Sequence, residues 1–238
     1  MPHGRSLAIA AIGLLALLAG PARAIQGGAL ASRNALADAT VGVGTLIAGD
    51  GEIGLSRCSG VLVAPDIVLT AAHCVRDNPV AAAVVFYQGS RPVRPAIPVA
   101  AVASYDVETE DLPEEFAGLA RLSFDTAVLR LAEPARNRKP IPIARGSWPS
   151  NLRIAGAGIS RQGIGVLNTT RLDPLMMTAS GVLIAAARGS EVCKGDSGGP
   201  VVAEGPRGPV LWGVASAVLS RDGQCGRIVL VAPARARF

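Results

Sequence analysis

From Ile25 onward the apolar residues fall into short runs rich in Val, Ile, Leu and Ala, separated by clusters of Gly, Pro, Asp and Asn. The runs include Gly60 to Ala64, Ile67 to Thr70, Val84 to Tyr87, Ala127 to Leu131, Val182 to Ala186, Val201 to Ala203, Val210 to Val218 and Ile228 to Val231. Runs of this length closed by turn residues read as β-strands, although the alanine-rich stretch from Val182 could equally be helical. The 28 Gly and 17 Pro are scattered and not tandem, which favours a turn-rich structure over long helices. An all-β barrel or sandwich is the expected class. Glu204 to Pro209 reads as a hairpin tip, and the basic, proline-bracketed stretch 134–142 as a solvated linker between two halves.

Half of the 238 residues are hydrophobic and 17% are charged, enough to bury a substantial core, so a disordered chain is excluded. The first 24 residues read as a secretory signal. Leu7 to Ala19 is apolar, and Ala22-Arg23-Ala24 supplies the small-x-small cleavage pattern. That run makes about 20 Å of helix, short of a ~30 Å hydrocarbon core, so neither a membrane span nor a stable anchor is expected. The expected location is secreted, extracellular or periplasmic. The formal charge of +5, or +3 without Arg5 and Arg23, is small and dispersed, which speaks against a nucleic-acid partner.

In an oxidising compartment the four cysteines, Cys58, Cys74, Cys193 and Cys225, are read as two disulfides, for which counting alone permits three pairings. Zinc is the rival, but there is no C-x-x-C spacing and the mature chain holds a single histidine, so no metal or cofactor is expected.

That histidine, His73, is the only one left after His3 departs with the signal, so any imidazole acid/base chemistry must use it. A serine hydroxyl is a poor nucleophile unless a base takes its proton, and the base needs a carboxylate to fix its tautomer. Ser197 lies in Gly195-Asp196-Ser197-Gly198-Gly199-Pro200, where glycines permit a sharp turn and converging backbone N–H groups. The same residues match G-x-S-x-G, but enzymes with that elbow place histidine after serine, and none follows Ser197.

The segments Cys58-Ser59-Gly60-Val61-Leu62, Leu69-Thr70-Ala71-Ala72-His73-Cys74, Asp125-Thr126-Ala127-Val128-Leu129-Arg130-Leu131 and Cys193-Lys194-Gly195-Asp196-Ser197-Gly198-Gly199-Pro200 occur in that order. Together they resemble the chymotrypsin-like (trypsin-like) serine endopeptidases, over essentially all of Ile25 to Val231. The Ser-His-Asp arrangement is that family's well-known triad. The resemblance implies two six-stranded antiparallel β-barrels with the site in the crevice between them: signal 1–24, first barrel 25–133, linker 134–142, second barrel 143–238. It implies Ser197 as nucleophile, His73 as general base and acid, Asp125 as orienting carboxylate, and the N–H groups of Gly195 and Ser197 as oxyanion hole. It pairs Cys58 with Cys74 and Cys193 with Cys225, and sets the N-terminus of Ile25, released by signal removal, against Asp196.

The resemblance further assigns substrate binding to Glu191, Val192, Ser216, Ala217 and Val218. An acidic pocket floor at Glu191 suggests Arg or Lys before the cleaved bond. Val192 and Val218 would narrow the pocket, Arg227 could neutralise Glu191, and Ser216 would bind substrate backbone. The acidic segment 106–115 is read as a solvated loop, and the family's calcium loop is expected to be absent. Polypeptide substrates and a protein inhibitor are the expected partners, and a monomer the expected state. The rival from another class is a catalytically silent homologue that binds a partner through the same surface.

Overall fold

The computed structural model describes residues 24–49, 52–75, 81–104, 110, 113–144, 146, 148–160, 163–220 and 224–235. The signal reading (1–23) and most of the acidic segment (106–109 and 111–112) lie outside the described residues. In chain order the elements are β1 (Ala29–Leu30), α1 (Ala35–Ala39), β2 (Thr40–Gly49), β3 (Glu52–Ala64), β4 (Ile67–Thr70), β5 (Ala81–Gln88), β6 (Arg91–Ser104), α2 (Glu114–Ser123) and β7 (Ala127–Leu131). They continue with β8 (Leu152–Gly156), β9 (Ile159–Ser160), β10 (Gly163–Ile164), β11 (Asn168–Met177), β12 (Leu183–Ala187), β13 (Val192–Cys193), β14 (Pro200–Gly205), β15 (Gly208–Leu219), β16 (Cys225–Gly226) and β17 (Ile228–Pro233).

Two six-stranded antiparallel barrels result. The first closes in the order β2-β3-β4-β7-β6-β5. The second runs β8-β11-β12-β17-β15-β14 and closes because β8 pairs with both β11 and β14. Closure removes exposed edges, and it requires strands to bend. Register shifts supply the bends, between Leu62 and Ala64, Val84 and Phe86, Val99 and Ala101, and Ala215 and Ala217.

The side chains follow the barrel walls. In β7, Ala127, Val128, Leu129 and Leu131 are buried while Arg130 is exposed. With only 3% aromatic residues, the cores are largely aliphatic: Val41, Val61, Leu69 and Leu129 in the first, where Phe86 and Tyr87 are also buried, and Leu152, Ile154, Leu183 and Val231 in the second. The first core continues across the seam to Ala155, Leu211 and Val214 of the second barrel. The alanine-rich stretch from Val182 resolves as strand β12, paired with β11 and β17. Among the described residues no helix is long and apolar enough to cross a membrane.

The connector is exposed at Pro134, Arg136, Asn137, Lys139 and Pro142, and is also held at intervals: Ala135 N–H donates to the Pro65 carbonyl, Ile141 N–H to Leu62, and Leu211 N–H to Pro142. Arg138 within it donates to the Tyr87 carbonyl at 2.6 Å and lies 5.0 Å from the Phe86 ring centroid. The N-terminal residues, counted by sequence with the first barrel, run along the second. β1 pairs with β11, and Gln26 bridges to Glu191.

Candidate active site

β4 and β7 are neighbours, with Thr70 opposite Ala127. Asp125 lies just before β7 and His73 just after β4, so antiparallel pairing brings them to the same end of the barrel. A single 3₁₀ turn, Ala72–Cys74, presents the imidazole between buried Ala72 and Cys74. Asp125 is buried and takes at least three hydrogen bonds. Its Oδ1 accepts the His73 main-chain N–H at 2.8 Å, and its Oδ2 lies 2.8 Å from His73 Nδ1. A third comes from the Ser216 hydroxyl, which donates to Oδ2 at 2.5 Å. A carboxylate only accepts, so this geometry puts the His73 proton on Nδ1 and leaves Nε2 free to take one. The ring is 41% exposed, on the crevice side of a buried acid.

Ser216 is the residue whose part the sequence did not reveal. It sits at the register shift between Ala215 and Ala217 of β15. A bulge of this kind re-aims a side chain, and here it turns the hydroxyl onto Asp125. The one polar residue inside Val210 to Val218, apart from glycine and the Trp212 indole, is the only trace of this in the sequence.

The turn from Cys193 to Pro200 carries Ser197. Gly195 and Gly198 adopt φ of 91° and 80°, and a Cβ at Gly198 would collide with the Ser59 carbonyl and the Thr70 hydroxyl. The N–H groups of Asp196, Gly198 and Gly199 donate to the carbonyls of Cys193, Ala215 and Asp196. Those of Gly195 and Ser197 make no hydrogen bond among the described residues. Two unpartnered donors in an otherwise satisfied turn form an acceptor site for an oxygen. The turn is tied to the first barrel through Ser59. Its N–H donates to the Ser197 carbonyl at 2.8 Å, and its hydroxyl donates to the Gly195 carbonyl at 2.9 Å and accepts the Ala157 N–H at 3.0 Å.

The structure therefore joins His73 to Asp125 and sets the Ser197 carbonyl 4.0 Å from Cys74 Sγ, beside His73. No hydrogen bond links Ser197 Oγ to His73 among the described residues. Such a contact often tightens only when substrate is present. Cys58, His73 and Cys74 place their ligand atoms within 4.8 Å of one another. Both sulfurs, however, belong to the Cys58–Cys74 disulfide, and Cys193 is bonded to Cys225, so no thiolate is offered to a metal.

Asp196 is fully buried. It accepts N–H groups from Ile25 (3.0 Å), Cys193 (2.8 Å) and Gly158 (3.1 Å). Burial pushes its carboxyl up to about 6, against the pull of those donors. Ile25 is itself buried and still joined to Ala24, so the group facing the carboxylate is a neutral peptide N–H. Gly156 leaves the room for Asp196, since a Cβ there would overlap the carboxylate. Asn168, the head of an Asn-Thr-Thr sequon, is 1% exposed within β11 and donates to the Ala24 carbonyl at 2.5 Å, which leaves no access for a glycan.

Of the pocket residues, Val192 is buried and pairs with Gly226, while Ala217 and Val218 lie half-buried on β15 opposite Leu230 and Val229. Glu191 is half-buried, and its N–H donates to the Gln26 carbonyl at 2.8 Å. It makes no ion pair with Arg227, which is exposed.

Comparison with known proteins places these observations. The trypsin family model matches residues 45–235. A trypsin of Simulium vittatum is 31% identical over 207 residues, 78% of this chain and 81% of that one. The snake venom serine protease Haly-2 of Gloydius brevicauda is 27% identical over 187 residues, 66% of this chain and 67% of that protein. The solved structure of HL collagenase superposes with a TM-score of 0.61 at 21% identity. It covers 88% of this chain and 93% of its own, a likeness of fold.

Proposed function

Because this chain belongs to the trypsin family, we propose that it is a secreted serine endopeptidase cleaving polypeptides through an acyl-enzyme on Ser197. The observation that carries the reading is the pairing of His73 with the buried Asp125, itself held by the Ser216 hydroxyl, beside a turn holding two N–H groups unpartnered among the described residues.

Ser197 Oγ attacks the substrate carbonyl carbon as His73 Nε2 takes the hydroxyl proton. Negative charge gathers on the carbonyl oxygen, where the N–H groups of Gly195 and Ser197 receive it; such donors are already oriented and cost no rearrangement. His73 passes the proton to the departing amine. Water then attacks the ester by the same route in reverse, restoring Ser197. Asp125 stabilises the imidazolium formed in each half, and the Ser216 hydroxyl holds the carboxylate in place.

Glu191, which makes no ion pair among the described residues, supplies the counter-charge for Arg or Lys before the cleaved bond. Paired peptide substrates differing only in Arg against Ala or Val at that position test this, and faster cleavage of the small residues would reverse the assignment in favour of a pocket narrowed by Val192 and Val218. A fluorophosphonate probe tests the enzyme itself. Stoichiometric labelling, lost in Ser197→Ala, supports it. A folded, disulfide-bonded protein that starts at Ile25 and takes up no probe would instead be a binding homologue.

A further inference from the structure

A cleft of about 930 Å³ opens beside Gly195, in the seam between the barrels. One wall is Ala157, Gly158 and Gly195 of the second barrel; the other is the outer face of the first, including Gly44, Arg57 and Arg94. Gly44 stands directly opposite Arg57 across β2 and β3. Residues so paired project from the same face of a sheet, and a Cβ built on Gly44 meets nothing within 4 Å. The missing side chain at position 44 thus leaves open volume beside Arg57. Both charged lining residues, Arg57 and Arg94, are cations, and neither has an ion-pair partner among the described residues.

The cleft shares Gly195 with the oxyanion site and Cys58 with the disulfide behind His73, but includes none of Val192, Ser216, Ala217 or Val218. It therefore lies on the far side of Ser197 from the acyl half of a substrate. We infer that this cleft binds the leaving half of the substrate and selects polypeptides carrying Asp or Glu within the first few residues after the cleaved bond, through Arg57 and Arg94. The inference rests on the proposed peptidase activity. The carboxylate is held by charge in a partly screened crevice, and the apolar floor accepts the side chain's stem.

The experiment uses internally quenched peptides with one fixed acyl half and Glu, Ala or Lys at each of the positions after the cleaved bond. The expected result is a kcat/KM for Glu about three- to tenfold above Ala and a further drop for Lys, shrinking as salt is raised. In Arg57→Glu/Arg94→Glu the order should invert, with Lys above Glu, an outcome that misfolding cannot produce. Gly44→Phe, which fills the open volume, should bring the Glu-to-Ala ratio towards one. A small ester of the same acyl half keeps the two levels apart. Ester turnover with equal rates for Glu, Ala and Lys overturns this inference alone, whereas a protein that hydrolyses neither ester nor peptide and takes no probe overturns the peptidase reading beneath it.

Discussion

Replacing Asp196 by Asn in the full-length chain, where Ala24 remains joined to Ile25, isolates the effect of one buried charge on stability. Burial raises the Asp196 carboxyl from 3.8 to about 6. The folded protein therefore holds a proton there that the unfolded chain has already released, and stability falls as pH rises between the two values. At about 1.4 kcal/mol per unit, the contribution present below pH 3.8 is lost by about 3 kcal/mol once pH passes 6. Urea unfolding with intact disulfides, at intervals from about pH 3.5 to 7, gives the wild-type minus Asp196→Asn difference curve, from which the other titrating groups cancel. It should descend by about 3 kcal/mol over that range. In protein beginning at Ile25 the facing group becomes an ammonium, whose charge lowers the carboxyl's proton affinity, so the descent should vanish or reverse. A full-length difference curve that is flat or rises with pH, or identical curves for the two chains, would refute the reasoning.

Ser216→Ala removes a hydroxyl donor from a buried carboxylate, and a hydrogen bond to a charged acceptor contributes about 1.5 to 3 kcal/mol. The expected loss in kcat/KM is about tenfold or more, measured on a peptide substrate. Gly198→Ala drives a methyl into the Ser59 carbonyl at a positive φ, and should abolish probe labelling and destabilise by about 3 kcal/mol or more in chemical denaturation. Removing the Cys193–Cys225 bridge as a double Ala variant reopens a loop of 32 residues, for which chain entropy gives about 3.5 kcal/mol of destabilisation, read as a lower urea midpoint. The exposed Asp173–Arg188 pair should by contrast contribute little: Asp173→Asn is expected to leave the midpoint within experimental error.

Strands β4 and β7 coincide with the runs Ile67 to Thr70 and Ala127 to Leu131, each of which starts directly after a turn-forming or polar pair, Pro65-Asp66 and Asp125-Thr126. Strand β6 was not legible. Pro92, Pro95 and Pro98 argue against a strand, yet Arg91–Ser104 pairs with β5 and β7 across two register shifts, with Pro95 in a stretch skipped by the β5 register. Helix α2 was hidden by its acidic N-terminal residues, Glu114 and Glu115, which read as a continuation of loop. At the site, His73 and Ser197 stood out because sparse histidine and glycine-flanked serine are local signals, whereas Asp125 came only with the family resemblance. The roles of Ser216 and Ser59 depend on how two distant strands meet, and no local spacing encodes that.

Ser59 commits all of its polar atoms around the seam, its carbonyl taking the Thr70 hydroxyl while its amide and hydroxyl reach Ser197, Gly195 and Ala157. A rotation of one barrel against the other must break at least one of the bonds that cross, so Ser59 acts as a rivet beneath the cleft. Its amide should exchange with deuterium only as fast as the barrels themselves come apart, which makes one main-chain proton a gauge of the whole assembly's integrity.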